Sequence, residues 1–379
     1  MSELDLKGEG RQKIAAMLAV ILPVLFLAGL GVVTLISAGA VKADPMAFVQ
    51  KQFIWLGIAL AGAVFAASIR LDFLRKMAIP IAIGSLLLLV AVLIPSIGKE
   101  VNGARRWIEI GSFVFQPSDI AKVAIVVVMA AYLQAKQRSM KTFLWGALVP
   151  FGIIGVFSLL IMKEPDYGTT ALCGGIAFIM LFLAGPRLLH FAPFVAIGVL
   201  GLVAVILTNP NRVARIMSFM DREANMQGGA YQLTQAMYAF GAGGATGVGL
   251  GQGRQQYAFI PEAHTDFIFA NIGEELGLVG TFTVLGMFLF LFVFFTLHLR
   301  KAPNMFEFSL GLGAMLMIVL QAVFNMGVVT GLFPTKGISL PFISYGGSNL
   351  VVMFFFTGIL VNCVRRWNSP KRITTTVYE

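Results

Sequence analysis

The chain has 379 residues, 58% hydrophobic and 12% charged, with 28 basic against 18 acidic side chains and a formal net charge of +10. A soluble domain carries roughly 25% charged residues and about half apolar ones, so this composition excludes an ordinary soluble fold and reads as an integral membrane protein. The basic residues are scattered among short loops, which excludes a nucleic-acid-binding domain. Two cysteines, Cys173 and Cys363, lie far apart without CxxC spacing or a neighbouring His, which argues against metal or disulfide chemistry.

Runs long enough to cross a bilayer fall near 14–36, 53–69, 77–97, 118–134, 143–161, 169–185, 189–207, 267–299, 305–329 and 347–364. The expected fold is therefore an all-α membrane protein of about ten transmembrane helices, forming one polytopic domain over 1–379. The first run is too long for a signal-peptide core and lacks an A-x-A exit, so it is kept as a span. The fourth opens with Asp119 and Lys122, which places its outer end in a wet cavity. The eighth is long enough to be a re-entrant half followed by a full span. With ten spans both termini share one side, and that side collects 16 of the 28 basic residues in the shorter loops. The termini are expected to be cytoplasmic.

The long loop at 208–266 lies between the seventh and eighth spans, on the outer side. Loops of that length in compact proteins are functional or disordered. This one has a short apolar piece at 214–220, helical spacing over 231–240, and a glycine-dense run, GAGGATGVGLGQG, at 241–253. The run matches neither GxGxxG between a strand and a helix nor GxxxxGK[ST], so a nucleotide fold is unsupported. Glycine there permits tight turns and close backbone approach.

Polar residues gather at apolar boundaries in four outer stretches: NGARRWIEIGSFVFQPSDIAK at 102–122, KEPDYGTT at 163–170, YAFIPEAHTDFIFANIGEELGLVG at 257–280 and NMGVVTGLFPTKGISLPFISYGGS at 325–348. Pro117-Ser118-Asp119 reads as a helix start, leaving Asp119 either as its cap or as a functional group. Glu274 and Glu275 lie deeper in an apolar segment, where carboxylates are costly and mark function by default. Ala270, Gly273, Gly277 and Gly280 make a small-residue stripe that lets another helix approach closely.

No Ser-His-Asp order with a nucleophile elbow and no HExxH occurs, which leaves protease and zinc chemistry unsupported. A lone carboxylate suits a general base that takes a proton from a hydroxyl. Cations such as Arg105, Arg106 and Lys122 suit a pyrophosphate leaving group, which needs charge stabilisation more than protonation. The residues alone point to glycosyl or phosphoryl transfer from a lipid pyrophosphate, or to transport of an anionic lipid.

These four stretches resemble the SEDS family (shape, elongation, division and sporulation). The resemblance rests on NGARRW with QPSDIAK, EPDYGT, PEAHTDFIFANIGEELG and NMGVVTGLFPTKGISLPFISYGGS, and the ten-span layout extends it to nearly the whole chain. It implies a peptidoglycan glycosyltransferase that polymerises lipid II in β-1,4 linkage at the outer face of the bacterial cytoplasmic membrane and releases undecaprenyl diphosphate. It also implies a class B penicillin-binding protein as crosslinking partner, within a divisome or elongasome. No cofactor is implied with certainty, and a divalent cation, Mg or Mn, stays open. The family's essential acidic residue falls on Asp266, here the base on the acceptor 4-hydroxyl. Arg105, Arg106, Asp119, Lys122, Asp166, His264, Lys336 and Ser344 are the substrate-binding candidates. Members commonly carry Glu where this chain has Asp119. PEAHTDF and LFPTKGISLPFISYGGS lean toward the division branch. The rival reading is a lipid II flippase or transporter, and a structural scaffold is a third. A transporter is expected to carry its polar groups at mid-membrane, on broken helices within internal repeats.

Overall fold

The computed structural model describes residues 3–39, 45–101, 103–111, 113–208, 210–221, 230–254, 264–335 and 337–368. Thirteen of the helices among them organise the chain. They are α1 (Glu3–Gly39), α2 (Pro45–Ser68), α3 (Leu71–Lys76), α4 (Ala78–Leu93), α5 (Pro117–Lys136), α6 (Val149–Lys163), α7 (Tyr167–Leu183), α8 (Ala192–Leu207), α9 (Pro210–Met220), α10 (Tyr231–Gly243), α11 (Ile268–Leu299), α12 (Met305–Val329) and α13 (Gly347–Trp367). Seven helical segments are long and apolar enough to cross a membrane, and three shorter apolar helices span 78–93, 167–183 and 188–201. The protein is a multi-pass helical membrane protein. The bounds of α11 and α12 follow the hydropathy runs closely, because a backbone in lipid must satisfy its own hydrogen bonds along an apolar stretch, whereas α1 and α2 begin well before the expected 14–36 and 53–69.

The centre of the bundle is α12 with α13. Their most apolar windows are each 83% buried by protein, against 17% for α2, so α2 presents most of its surface outward while the other two are enclosed. α13 lies along α2, and buried Asn362 on α13 donates to the carbonyls of Ala66 and Ile69 at 2.9 and 2.7 Å. Those carbonyls stand at the end of α2, where the helix supplies no partner of its own. α5 sits in contact with α4, α7 and α12, and its buried face runs from Ala121 to Leu133.

Two features depart from the sequence expectation. The region is not purely helical: β1 (Gly98–Val101), β2 (Ala104–Ile110) and β3 (Phe113–Phe115) form an antiparallel meander between α4 and α5. β2 pairs with both neighbours, and Gly103 and Gly111 take positive φ beside its two ends. Strands this short, set between two long apolar runs, leave only a weak hydropathy signal. Second, the start of α5 is capped differently. Gln116 holds the cap position in extended backbone and Pro117 begins the helix, so Asp119 is not the cap.

α11 contains the break expected of a re-entrant half followed by a span. Gly277 has φ 63° and ψ −157°, which divides a short buried helix from the long segment after it. The loop at 208–266 is ordered in part as α9 and α10.

Candidate functional site

The N-terminal ends of α5, α7 and α13, the turn before α11, and β2 converge on a cavity of about 760 Å³. Arg106, Asp119, Lys122, Asp166 and Asp266 line it together with Thr335, Gly337 and Ser339, so all four outer stretches meet in one place.

Asp119 and Lys122 lie three residues apart on one face of α5 and are each 4% exposed. The Lys122 ammonium donates to Asp119 Oδ1 at 2.8 Å, to Gln321 Oε1 at 3.1 Å and to Asn349 Oδ1 at 3.0 Å. An ammonium has three N–H donors, and here all three are engaged by protein oxygens. The other Asp119 oxygen accepts from the Ser348 hydroxyl at 2.6 Å. Gln321 in turn donates to the Ser339 carbonyl and to Asn349. The result is a closed polar network between α5, α12 and α13.

Asp166 caps α7, accepting from Thr169 N–H at 3.1 Å, and its second oxygen accepts from Gln116 Nε2 at 2.9 Å. Arg106 reaches across from β2 and donates to the backbone carbonyls of Glu164 and Pro165 at 2.8 and 2.7 Å. It thereby ties the sheet to the α6–α7 turn. Glu164 is fully buried there, and neither of its carboxyl oxygens has a hydrogen-bond partner. Burial first, and then the negative charge of Asp166, push its carboxyl from 4.5 up to about 8. Arg106 opposes the shift, as does the Ser118 hydroxyl, which faces the carboxyl without reaching hydrogen-bond geometry.

Asp266 is held in another way. The carbonyls of three successive residues are pinned: His264 accepts from Tyr345 N–H at 2.9 Å, Thr265 from the Ser344 hydroxyl at 2.6 Å, and Asp266 from Asn325 Nδ2 at 2.7 Å. Asn325 also donates to the Ile338 carbonyl at 2.6 Å, and Ser344 accepts from Leu340 N–H at 2.7 Å. The stretch 338–345 is thus built onto the HTD turn through backbone contacts. Over the Asp266 carboxylate lies Gly337, where an added Cβ would stand 2.6 Å from Oδ2.

Of the sequence candidates, Arg106, Asp119, Lys122, Asp166 and Asp266 come together at the cavity. Arg105 does not join them: it pairs with Glu100 on the neighbouring strand at 2.9 Å, while Glu109 pairs with Lys99 at 2.7 Å. Ser344 supports the turn from behind and does not line the cavity, and the His264 ring lies 6.0 Å from that of Tyr345. Lys336 lies outside the described residues. Residue-by-residue reading missed Gln116, Gln321, Asn325, Ser348 and Asn349. Gln321 and Asn325 carry a usable signal, being buried amides one turn apart on one face of an apolar helix. Among the described residues, no group of three or more His, Cys, Asp or Glu side chains is arranged to hold a metal ion.

A polytopic helical bundle with a cavity lined by acidic and basic side chains defines the class: a multi-pass membrane protein with a charged internal cleft. The FtsW, RodA and SpoVE family model, described as a cell cycle protein, matches residues 14–368, and the chain belongs to this SEDS family. It is 39% identical over 350 residues to a probable peptidoglycan glycosyltransferase FtsW from Trichlorobacter lovleyi, covering 91% of this chain and 92% of that one. It is 37% identical to the stage V sporulation protein E of Bacillus subtilis, covering 92% and 96%. Among solved structures, a chain described under structural coordination of polymerization and crosslinking by a peptidoglycan synthase complex aligns at TM-score 0.75 and 26% identity, over 92% of this chain and 97% of that one. Thermus thermophilus RodA aligns at TM-score 0.67 and 25% identity, over 92% and 96%.

Proposed function

We propose that the protein polymerises lipid II into β-1,4-linked glycan at the outer face of the bacterial cytoplasmic membrane, with Asp266 as general base. The chain is a peptidoglycan glycosyltransferase, as its relatives' names indicate. One observation carries the choice of base. Among the described residues three carboxylates line the cavity, and Asp119 and Asp166 are built into the helix packing through Lys122, Ser348, Gln116 and Thr169. Asp266 lines the same cavity from the turn before α11, its carbonyl held by Asn325, and stands where the family resemblance puts the essential acid. It takes the proton from the acceptor 4-hydroxyl as the oxygen attacks the anomeric carbon from the face opposite the leaving group. The new bond is β, and undecaprenyl diphosphate departs.

Arg106 and Lys122 contribute positive charge at the wall where pyrophosphate negative charge grows. Because Lys122 already uses its three donors, it acts on an anion through its field unless a partner gives way. Lys336 is assigned to the same task. Among the described residues no acidic group is arranged as a resident metal site. A divalent cation would enter with the pyrophosphate.

We further infer ten crossings, from the seven long and three shorter apolar helices, with both termini cytoplasmic. The sheet, the cavity and the 208–266 loop then share the outer side. A class B penicillin-binding protein is the partner, in keeping with the synthase complex that this fold resembles, and the FtsW-like motifs favour a septal role. The relatives' names support glycosyl transfer over the flippase.

Purified protein with its penicillin-binding partner is expected to turn lipid II into glycan strands. A preparation that forms no strands but moves lipid II across liposome membranes would overturn the reading.

A further inference from the structure

Glu274 and Glu275 are 3% and 1% exposed, and neither lines the cavity. They end the short helix that starts directly after Asp266. What they face is the glycine-dense segment that follows α10.

The break at Gly277 interrupts the helical hydrogen bonds, and the glycine segment takes them over. On one side Val248 N–H donates to the Glu274 carbonyl at 2.9 Å and Gly249 N–H to the Glu275 carbonyl at 3.1 Å. On the other, Leu278 and Val279 N–H donate to the Gly244 and Ala245 carbonyls at 3.0 and 3.2 Å. The groups that a helix end leaves open are therefore filled by a strand threaded into the gap. Side chains complete the contact. Glu274 Oε1 accepts from Arg254 N–H at 2.7 Å, and Glu275 Oε1 accepts from Gly251 N–H at 3.1 Å and from the Ser37 hydroxyl on α1.

Only bare backbone fits this crossing. A Cβ at Gly243 or Gly247 would fall on the backbone of 273–276, and one at Gly277 on that of 245–247. Gly273 meets the Phe240 ring of α10 in the same way. The small-residue stripe thus seats α10 and the glycine strand.

Asp266 is fixed by its carbonyl, and Arg254 by Glu274.

We propose that Glu274 and Glu275 are positioning residues for glycosyl transfer, anchoring the glycine strand in the α11 break and so fixing the short helix that presents Asp266. The proposal rests on Asp266 being the base. The carboxylates act as acceptors of backbone N–H groups and carry no proton in the reaction. Glutamine keeps an acceptor oxygen at the same reach, whereas alanine removes it.

The test uses the full chain with its penicillin-binding partner and compares Ala and Gln at both positions. Lipid II polymerisation is measured alongside hydrogen–deuterium labelling of the backbone amides of 248–254, which include the Arg254 N–H that Glu274 accepts. Misplacing a catalytic group by a fraction of an ångström costs about tenfold or more in rate. Glu274→Ala and Glu275→Ala are therefore expected to lose about tenfold in kcat with KM within about twofold. Gln at either position is expected to recover most of the rate. Labelling at 254 should rise about tenfold in Glu274→Ala and remain near the parent level in Glu274→Gln. Should an Ala variant fail to fold, Ser37→Ala takes the place of Glu275→Ala, with a loss of about twofold in kcat expected. Folded Ala variants with parental kcat, Gln variants as slow as Ala, or unchanged labelling would each overturn the proposal. If the parent protein forms no glycan at all, the Asp266 reading fails, while labelling still decides the anchor.

Discussion

The starts of α5 and α11 each bring an aspartate to the same cavity, and they differ in what holds it. Asp119 is gripped by its side chain: both oxygens are taken, one by a buried ammonium. Asp266 is gripped by its backbone, through the pinned carbonyls of 264, 265 and 266. A carboxylate neutralised by a partner contributes architecture and local field. The described contacts of Asp266 fix its backbone and set where its carboxylate stands in the cavity.

The comparison can be broken from either side. The largest effect on stability is expected from Lys122→Met, which leaves Asp119 buried at 4% exposure without its cation. Removing one partner of a buried pair costs about 3–5 kcal/mol, visible as a fall in the thermal midpoint in detergent. Lys122→Met with Asp119→Asn should recover much of that loss, because no lone charge remains. An unchanged midpoint in the single variant would show that the network does not hold α5 against α12.

On the Asp266 side, Gly337→Ala adds a methyl 2.6 Å from the carboxylate. The side chain must turn aside, and the rate is expected to fall about tenfold or more, with a midpoint shift of only about 2 °C. Wild-type polymerisation by this variant would show that the carboxylate need not lie over Gly337.

The smallest effect sharpens the comparison through a third acid, Glu164. Its folded pKa of about 8 lies above the 4.5 of the exposed group. The native state therefore binds more protons between those values, and stability falls as pH rises through that window. The contribution is full below 4.5 and lost above about 8. Glu164→Gln should flatten this dependence, raising the midpoint by a few degrees, about 2–4 °C at pH 8, with little change at pH 4.5. Parallel pH profiles for the two proteins would place Glu164 outside the buried cluster.

Much of the fold was legible because lipid imposes one rule on every crossing segment. The expected run at 305–329 coincides with α12, and 267–299 differs from α11 by one residue. A break within α11 could also be expected from its length alone, while Gly277, where the break falls, had stood out only as part of the small-residue stripe. The meander at 98–115 was not, since three short strands give little periodicity. At the site, Asp119 and Lys122 were readable as an expensive polar pair in an apolar helix. The amides that engage Lys122, Gln321 and Asn349, come from helices far away in sequence, and no local pattern pairs them. Ser344 and His264 stood out by motif, yet their contacts are with the turn's backbone. Glu274 and Glu275 were conspicuous by cost, but their contacts include the main-chain N–H groups of Arg254 and Gly251, which leave no side-chain signature.

The most direct test of the central claim is Asp266→Asn, purified, shown to be folded, and assayed on lipid II with its penicillin-binding partner. General-base catalysis is worth about 10²–10⁴ in rate, so polymerisation should fall by at least about a hundredfold while the thermal midpoint stays within about 2 °C of wild type. Glycan formed at the wild-type rate by the folded variant would contradict Asp266 as the base.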